Sequence, residues 1–209
     1  MFLDNNLLEN VLETKLLGTI ITSDLKWTKN CEMLIKKAYQ RMQMLHKLKS
    51  FNVANNDMVT IYILYIRSIL EQSCQVWHYS LSEEDSSCLE RVQKIACSII
   101  LSPNSYSYEN SLRILNLESL SERREKLCLK FAKSCVKHPK MSKLFPCNPP
   151  IPRNLIHREK FYVQPARTDR LKNSAIPQMQ RALNRSEKMK WTSLFITSIF
   201  MYIFIVKHE

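Results

Sequence analysis

The stretch MVTIYILYIRSILEQSCQVWH, which runs from Met58 to His78, decides the fold of this chain. Its first part, Met58–Ile66, carries no charged residue, and apolar side chains would cover nearly every face of a helix drawn through it. We therefore expect one helix from about Asp57 to Tyr79, the most buried helix of the protein. Arg67 and Glu71 are four residues apart, so they would share a helix face and balance each other's charge.

The end of this stretch also holds side chains that could react. Cys74 and His78 are four residues apart and could form a cysteine–histidine pair on one helix face. The alternative, which we favour, is that both side chains face the core of a helical domain. Structural roles are assigned to Gly18, Trp27, Arg67, Glu71 and Trp77.

The composition of the 209-residue chain favours helices and a basic surface. Hydrophobic residues make up 45% of it, enough for a core, whereas Gly18 is its single glycine. This scarcity argues against phosphate-binding loops, dinucleotide-binding turns and tight hairpins, which use the positive φ of glycine. The net charge of +12 fits a polyanionic partner, nucleic acid or an anionic membrane, or else a solvated basic surface. Seven dispersed cysteines in mostly apolar contexts indicate reduced thiols and a nuclear or cytoplasmic protein.

Outward from the central stretch, apolar residues at three- and four-residue spacing predict further helices. They are expected at Thr28–Ser50, from Ser82 to a stop at Pro103, at Ser107–Asn116, at Ser119–His138 and near Ile176–Leu183. The β-branched run KLLGTIITSDLKW, Lys15–Trp27, reads instead as a strand, or a strand and a turn, around Gly18. The fold class is therefore mainly α, with a short N-terminal β element and an irregular basic C-terminal segment.

Composition divides the chain into five segments. Residues 1–27 hold the β element, and residues 28–143 form the helical domain. Residues 144–152 are rich in proline and read as a linker. Residues 153–184 are basic and irregular, and residues 185–209 end in a hydrophobic tail.

Several motifs occur in a fixed order between Lys15 and Asn184. They read LLGTIITSDLKW, KAYQRMQMLHKLKSF, IYILYIRSILEQSCQVWH, LERVQKIACSII, LNLESLSERREKLCLKFAKSC and ARTDRLKNSAIPQMQRALN. Together they resemble the C-terminal part of the reverse transcriptases of non-LTR (LINE-type) retrotransposons, Jockey-like elements most of all. The chain departs from that pattern at Thr22, where the family usually has an aspartate, and around Asn30, near which the family usually has a histidine.

The resemblance implies that residues 1–27 are similar to the last strand of a polymerase palm and residues 28–143 to a thumb-like helical bundle that grips template and primer. The family's Tyr-x-Asp-Asp turn and earlier aspartate would lie upstream. The aspartates of this chain are dispersed: Asp4, Asp24, Asp57, Asp85 and Asp169. Since polymerisation needs two metal ions held by converging carboxylates, we expect a truncated, non-catalytic relative that uses no cofactor. The chain could also be part of a longer active polymerase, or an interaction or membrane-tethered helical module with no nucleic-acid role.

The strongest functional signal is a cationic stripe on the helix Ser119–His138. Its members recur at intervals of three and four residues: Arg123, Lys126, Lys130, Lys133 and Lys137. Leu120, Leu127, Phe131 and Cys135 would form a separate apolar stripe, so the cations would face solvent and could bind the phosphates of RNA or DNA. Further nucleic-acid contacts are expected from Arg167, Arg170 and Lys172, with Phe161 and Tyr162 near enough in sequence to stack on bases.

Two weaker signals concern metal and membrane. Cys128, Cys135, His138 and Cys147 are zinc-binding residue types, but their spacing is not that of a zinc knuckle or ribbon, so no metal site is assigned. The uncharged run Trp191–Val206 would span about 24 Å as a helix, short of a hydrocarbon core of roughly 30 Å. It is interpreted as a marginal membrane tail, as a helix or strand on the domain surface, or as sequence translated beyond the end of an interrupted retrotransposon.

Overall fold

The fold comes from a computed structural model, which describes residues 2–3, 6–7, 11–101, 106–149 and 159–188. The protein is mainly α, with a short antiparallel β element near its N-terminus, as the sequence predicts. The chain divides into two compact units, Met1–Lys126 and Leu127–Glu209.

Two antiparallel hairpins open the first unit. Strand β1 (Phe2–Leu3) pairs with β2 (Asn6–Leu7), and β3 (Glu13–Leu16) pairs with β4 (Thr19–Thr22). The two-residue loop between β3 and β4 consists of Leu17 and Gly18, both with positive φ, as a type I′ turn requires. The expectation that glycine scarcity excludes tight hairpins is therefore wrong, because the single glycine forms one.

Helix α1 (Thr28–Ser50) has the bounds that the sequence predicts. Its buried face includes Leu34, Ala38, Met42 and Leu45, and it packs chiefly against helix α5 (Glu83–Leu101). The β4 strand is tied to α1 by the buried Asn30, whose Oδ1 accepts a hydrogen bond of 3.1 Å from the amide of Ile20. Trp27, buried just before α1, anchors the start of the helix.

The central stretch is not one helix, contrary to the sequence prediction. It comprises α2 (Asn55–Ile61), a π-helical turn (Tyr62–Arg67), α3 (Ser68–Leu70) and, after a break, α4 (Cys74–Trp77). A 3₁₀ turn, His78–Ser80, follows.

The break is a turn in which Ser73 adopts the left-handed conformation, with φ of 53°. Trp77 stabilises it, because its buried Nε1 donates a 3.0 Å hydrogen bond to the carbonyl of Gln72. The stretch is also not buried all round, since Leu64 and Tyr65 are exposed. Burial is confined to one side, which Met58, Tyr62, Ile66 and Leu70 occupy.

Helix α5 (Glu83–Leu101) begins with a side-chain cap. The hydroxyl oxygen of Ser82 accepts from the amide of Asp85 at 3.0 Å, and the same hydroxyl donates to the Asp85 carboxylate at 2.8 Å. The first of these bonds satisfies one of the amides that a helix start leaves unpaired. Leu89, Val92 and Ala96 are buried as predicted, whereas Ile95 and Ile99 are only half-buried.

Helix α6 (Tyr108–Ile114) and helix α7 (Leu120–Lys137) follow. A polar network at the start of α7 centres on Glu90, which accepts from the amides of Leu120 (3.0 Å) and Ser121 (3.3 Å) and from the Tyr108 hydroxyl. Glu90 is thus the side-chain cap of α7. Burial and this hydrogen bond raise the pKa of Tyr108 above its ordinary value.

The second unit begins within α7, at Leu127, and includes a 3₁₀ turn (Ser142–Leu144), helix α8 (Asp169–Lys172) and helix α9 (residues 175–188). Cys147 pairs with Phe161 in an antiparallel bridge, and Phe145 is buried. In residues 144–149 of the proline-rich segment, the chain is thus held by this bridge and by the buried Phe145, while most of the other side chains are exposed. Asn184 on α9 holds the bridge, because its side chain bonds both the amide and the carbonyl of Phe161 at 2.9 Å.

Candidate nucleic-acid interface

Helix α7 presents a buried face that differs from the apolar stripe predicted for it. The buried positions recur mainly every four residues: Leu120, Arg124, Cys128, Ala132 and Cys135. Leu127 is only half-buried, and Phe131 is 41% exposed. The buried face of α7 is therefore rotated toward Arg124, and the sequence analysis did not predict that this arginine is buried.

Arg123, the first member of the predicted cationic stripe, is held within the first unit. Its Nε lies 3.1 Å from Oε1 of Glu71, and the Nε of Arg67 lies 3.4 Å from the same oxygen. The Arg67 and Glu71 side chains are largely buried, at 12% and 14% exposure. The i, i+4 pair expected from the sequence thus gains a third member, and Glu71 balances the charge of the partly exposed Arg123.

Lys126, the second member, is also paired. Its Nζ lies 2.5 Å from Oε1 of Glu118, and both side chains are well exposed. Exposed ion pairs of this kind contribute little free energy and can be exchanged for another anion. Lys126 is therefore available to a ligand only in competition with Glu118.

The remaining three members, Lys130, Lys133 and Lys137, lie in the second unit and are exposed. Among the described residues, none of the three forms an ion pair. The surrounding sequence, residues 127–149, contains no aspartate or glutamate and two further lysines, Lys140 and Lys143. Part of this arrangement has a structural purpose, because cations near a helix C-terminus are stabilised by the helix dipole.

The second predicted group of cations, Arg167, Arg170 and Lys172, surrounds the short helix α8 and is exposed. Thr168 caps this helix by accepting a 3.3 Å hydrogen bond from the amide of Leu171. The proposed base stacking fits only one of the two aromatic residues nearby. Tyr162 is exposed, but Phe161 is buried and cannot stack on a base.

A cationic groove that sequence reasoning missed lies along α5 and α6. It has a volume of about 540 Å³ and is lined by Ser87, Glu90, Arg91, Lys94, Ile95, Ser98 and Tyr108. Arg91 and Lys94 are exposed on one side of α5, three residues apart. Their spacing was visible in the sequence, but only the contact of α6 with α5 turns that side into a groove.

The buried Arg124 lies beside the aromatic side chains of Trp77 and His78. Its guanidinium carbon is 5.8 Å from the centre of the Trp77 ring, and its Nε approaches Nδ1 of His78 at 3.5 Å. Its Nη1 and Nη2 have no hydrogen-bond partner among the described residues. Burial lowers the pKa of Arg124, and burial together with this cation lowers the pKa of His78 to about 4.

His78 is therefore a neutral imidazole at physiological pH, and its Nδ1 faces Arg124. Cys74, the other member of the conceivable reactive pair, is fully buried. Within the described part of the chain, no group of three or more His, Cys, Asp or Glu residues could hold a metal ion. Of the weak zinc candidates, Cys128 and Cys135 face the core, while His138 and Cys147 are exposed.

The aspartates that could act as polymerase ligands occupy separate local structures. Asp24 accepts from Thr22 and from the amide of Lys26, and the Asp85 carboxylate accepts from Ser82 and Thr28. Asp57 and Asp169 lie in the first turns of α2 and α8, where the helix dipole favours an acid. Asp4 lies outside the described residues.

The predicted hydrophobic tail, Trp191–Val206, also lies outside the described residues. Among the helices that the structure does describe, none is long and apolar enough to cross a membrane. Comparison with known proteins adds no relative: no protein-family model matches the chain, and neither does any curated protein or solved structure.

Proposed function

We propose that this chain binds RNA or DNA without sequence preference, through Lys130, Lys133 and Lys137 of α7. The observation that carries this proposal is the exposure of three lysines along one side of a helix whose surrounding sequence, residues 127–149, has no acid. Lys130 and Lys137 are seven residues apart, a rise of about 10 Å along the helix. A row of ammonium groups of this length matches the closely spaced phosphates of a nucleic-acid strand and displaces their counterions.

Lysine side chains that contact phosphates position a protein on nucleic acid but read no base. Binding by this surface is therefore non-specific. Arg167, Arg170 and Lys172, with the exposed Tyr162, add charge and one aromatic ring to the same unit. The groove that contains Arg91 and Lys94 is a second candidate contact, in the first unit.

The ordered sequence motifs support a more specific version of the proposal. They resemble the C-terminal region of a non-LTR retrotransposon reverse transcriptase, in which a thumb-like bundle grips template and primer. We place the chain as a non-catalytic relative of that region. A genomic frame immediately upstream that encodes a Tyr-x-Asp-Asp turn would instead make it the C-terminal part of a longer polymerase, and the same lysines would then grip the substrate of that enzyme.

The test is fluorescence anisotropy of labelled single-stranded RNA and DNA with the full chain between about 50 and 200 mM salt. If three phosphates are neutralised, the logarithm of the association constant should fall against the logarithm of salt with a slope of about −2 to −3. A slope of roughly −3.5 to −4.5 would indicate about five neutralised phosphates, and therefore contacts beyond these three lysines.

The variant K130Q/K133Q/K137Q should weaken binding at least about tenfold, equivalent to about 1.4 kcal/mol. The matched control is K36Q/K37Q/K47Q, which removes the same charge from α1 and should change affinity much less. The variant R91Q/K94Q measures the contribution of the groove separately. Equal losses in the α7 and α1 variants would show attraction by net charge alone, and an absence of binding at low salt would refute the proposal.

A further inference from the structure

Within the described part of the chain, the outer edge of strand β3 has no partner strand and is exposed. Every residue of Glu13–Leu16 is exposed, and Leu12 and Leu16 are 81% and 59% exposed. The neighbouring strand β4 has no such edge, since Asn30 of α1 binds the amide of Ile20. A two-stranded hairpin is marginally stable alone, and an open edge with apolar side chains is a template for another strand.

The hydrogen bonding of the hairpin fixes which groups of β3 point outward. The amide of Ser23 donates to the carbonyl of Leu12 at 2.8 Å, so Leu12 faces β4. Ile20, which lies opposite Lys15, turns its amide away from β3 toward Asn30. Because hydrogen-bonded and non-bonded pairs alternate along an antiparallel ladder, the backbone N–H and C=O groups of Glu13 and Lys15 must point to the open edge.

We propose that this edge pairs with the same edge of a second copy of the chain, in an antiparallel ladder centred on Thr14. This register places Glu13 opposite Lys15 of the second copy, and the two-fold symmetry repeats the pair. Each pair would exchange two backbone hydrogen bonds through the groups that point outward. On the other face of the sheet, Leu12 would lie opposite Leu16 of the second copy.

The charges select this register over its neighbours. A shift that centres the ladder on Glu13 places two glutamates directly opposite each other, and a shift that centres it on Lys15 does the same with two lysines. Like charges in these positions are destabilising, whereas opposite charges and leucine pairs stabilise a ladder. A register whose two-fold axis passes between two residues would pair a residue whose N–H and C=O point to the open edge with one whose groups point to β4. Such a pair could not form its hydrogen bonds. The edge is therefore self-complementary in charge, apolar contact and hydrogen bonding at one register.

The two β3–β4 hairpins would thus form one four-stranded sheet. This dimer does not depend on nucleic-acid binding. Only five residues of each chain, Leu12–Leu16, take part, so the contact is at the small end of specific interfaces, and we expect a dimer that forms at micromolar or higher concentration. Glu13 also contacts Lys29 of its own α1, so in the dimer its carboxylate would be shared between Lys29 and Lys15 of the second copy.

Sedimentation equilibrium of the full chain, free of nucleic acid, tests the proposal from about 5 to 500 µM. The wild type should dimerise, and both E13K and K15E should be monomeric, although they change the net charge in opposite directions. The double variant E13K/K15E should restore the dimer, since it swaps the two ends of each pair. K29Q, which removes the internal partner of Glu13, should leave dimerisation intact.

Two results would overturn the proposal. One is a wild type that stays monomeric over the whole range. The other is self-association that the single charge variants leave unchanged or that the double variant fails to restore, which would place the contact on another surface. Far-ultraviolet circular dichroism of each variant checks that a monomeric sample is still folded.

Discussion

Glu71 holds Arg123 by a contact of 3.1 Å between its Oε1 and the arginine Nε, and the same oxygen is 3.4 Å from the Nε of Arg67. One largely buried carboxylate thus balances two arginines, one from the turn before α3 and one from α7. This relationship separates Arg123 from the exposed lysines further along the same helix. It assigns the arginine to the stability of the first unit and leaves the proposed nucleic-acid contact to Lys130, Lys133 and Lys137.

The substitution Glu71→Gln tests this assignment. It should lower the free energy of unfolding by about 3 kcal/mol, because it leaves two guanidinium groups without their buried counter-charge. Urea denaturation followed by circular dichroism measures the change. Glu118→Gln is the matched control, since it breaks the exposed pair with Lys126, and its effect should be too small to measure. Equal stability of the two variants would mean that the Glu71 contacts contribute nothing.

Much of the helical pattern could be predicted from the sequence, because in long amphipathic helices the apolar residues recur every three or four positions. The bounds of α1 and the Ser82 cap of α5 follow from spacing and cap chemistry alone. The break at Ser73 could not be predicted in this way, since no glycine or proline marks it. It depends on tertiary contacts, among them the hydrogen bond from Trp77 to Gln72.

The candidate site was predicted only in part, for a related reason. Arg123 and Arg124 are adjacent, and charge alone assigns both to the surface. The four-residue spacing from Leu120 through Arg124 to Cys128 would have placed Arg124 on the buried face, but an apolar stripe through Phe131 was the stronger pattern. Which lysines remain unpaired depends on acids from distant parts of the chain, such as Glu71, and no local spacing shows them.

Gly18 gives a second prediction, on the β3–β4 turn. Its φ of 84° is left-handed, and a Cβ atom built on it would lie 2.5 Å from Nε2 of Gln72. Gly18→Ala should therefore lower the free energy of unfolding by about 1 to 2 kcal/mol because of backbone strain. The displacement of the Gln72 side chain should add a further loss. Thermal denaturation of Gly18→Ala in the wild type and in a Gln72→Ala background separates the two causes. The loss should be smaller when Gln72 is already truncated, and equal losses would show that the side chain is not an obstacle.

His78 gives the third prediction, on the pH dependence of stability. Burial and the nearby Arg124 lower its pKa to about 4, whereas an unfolded histidine has a value of 6.5. Between these values the unfolded chain binds a proton that the folded chain does not, so stability is full above about pH 6.5 and falls as the pH drops toward 4. The loss over this window should be about 3 kcal/mol at most, since each pKa unit corresponds to about 1.4 kcal/mol.

Urea denaturation at several pH values, with wild type and His78→Gln, measures this contribution. The variant should lose a large part of the pH dependence between 6.5 and 4, whereas His46→Gln, on the exposed side of α1, should keep it. Arg124→Met removes the neighbouring cation, and it should move the pKa of the folded His78 upward in a titration followed by nuclear magnetic resonance. A pKa that stays in place in Arg124→Met would show that burial alone holds the imidazole neutral. A pH profile that His78→Gln leaves unchanged would mean that other groups govern the acid sensitivity of the fold.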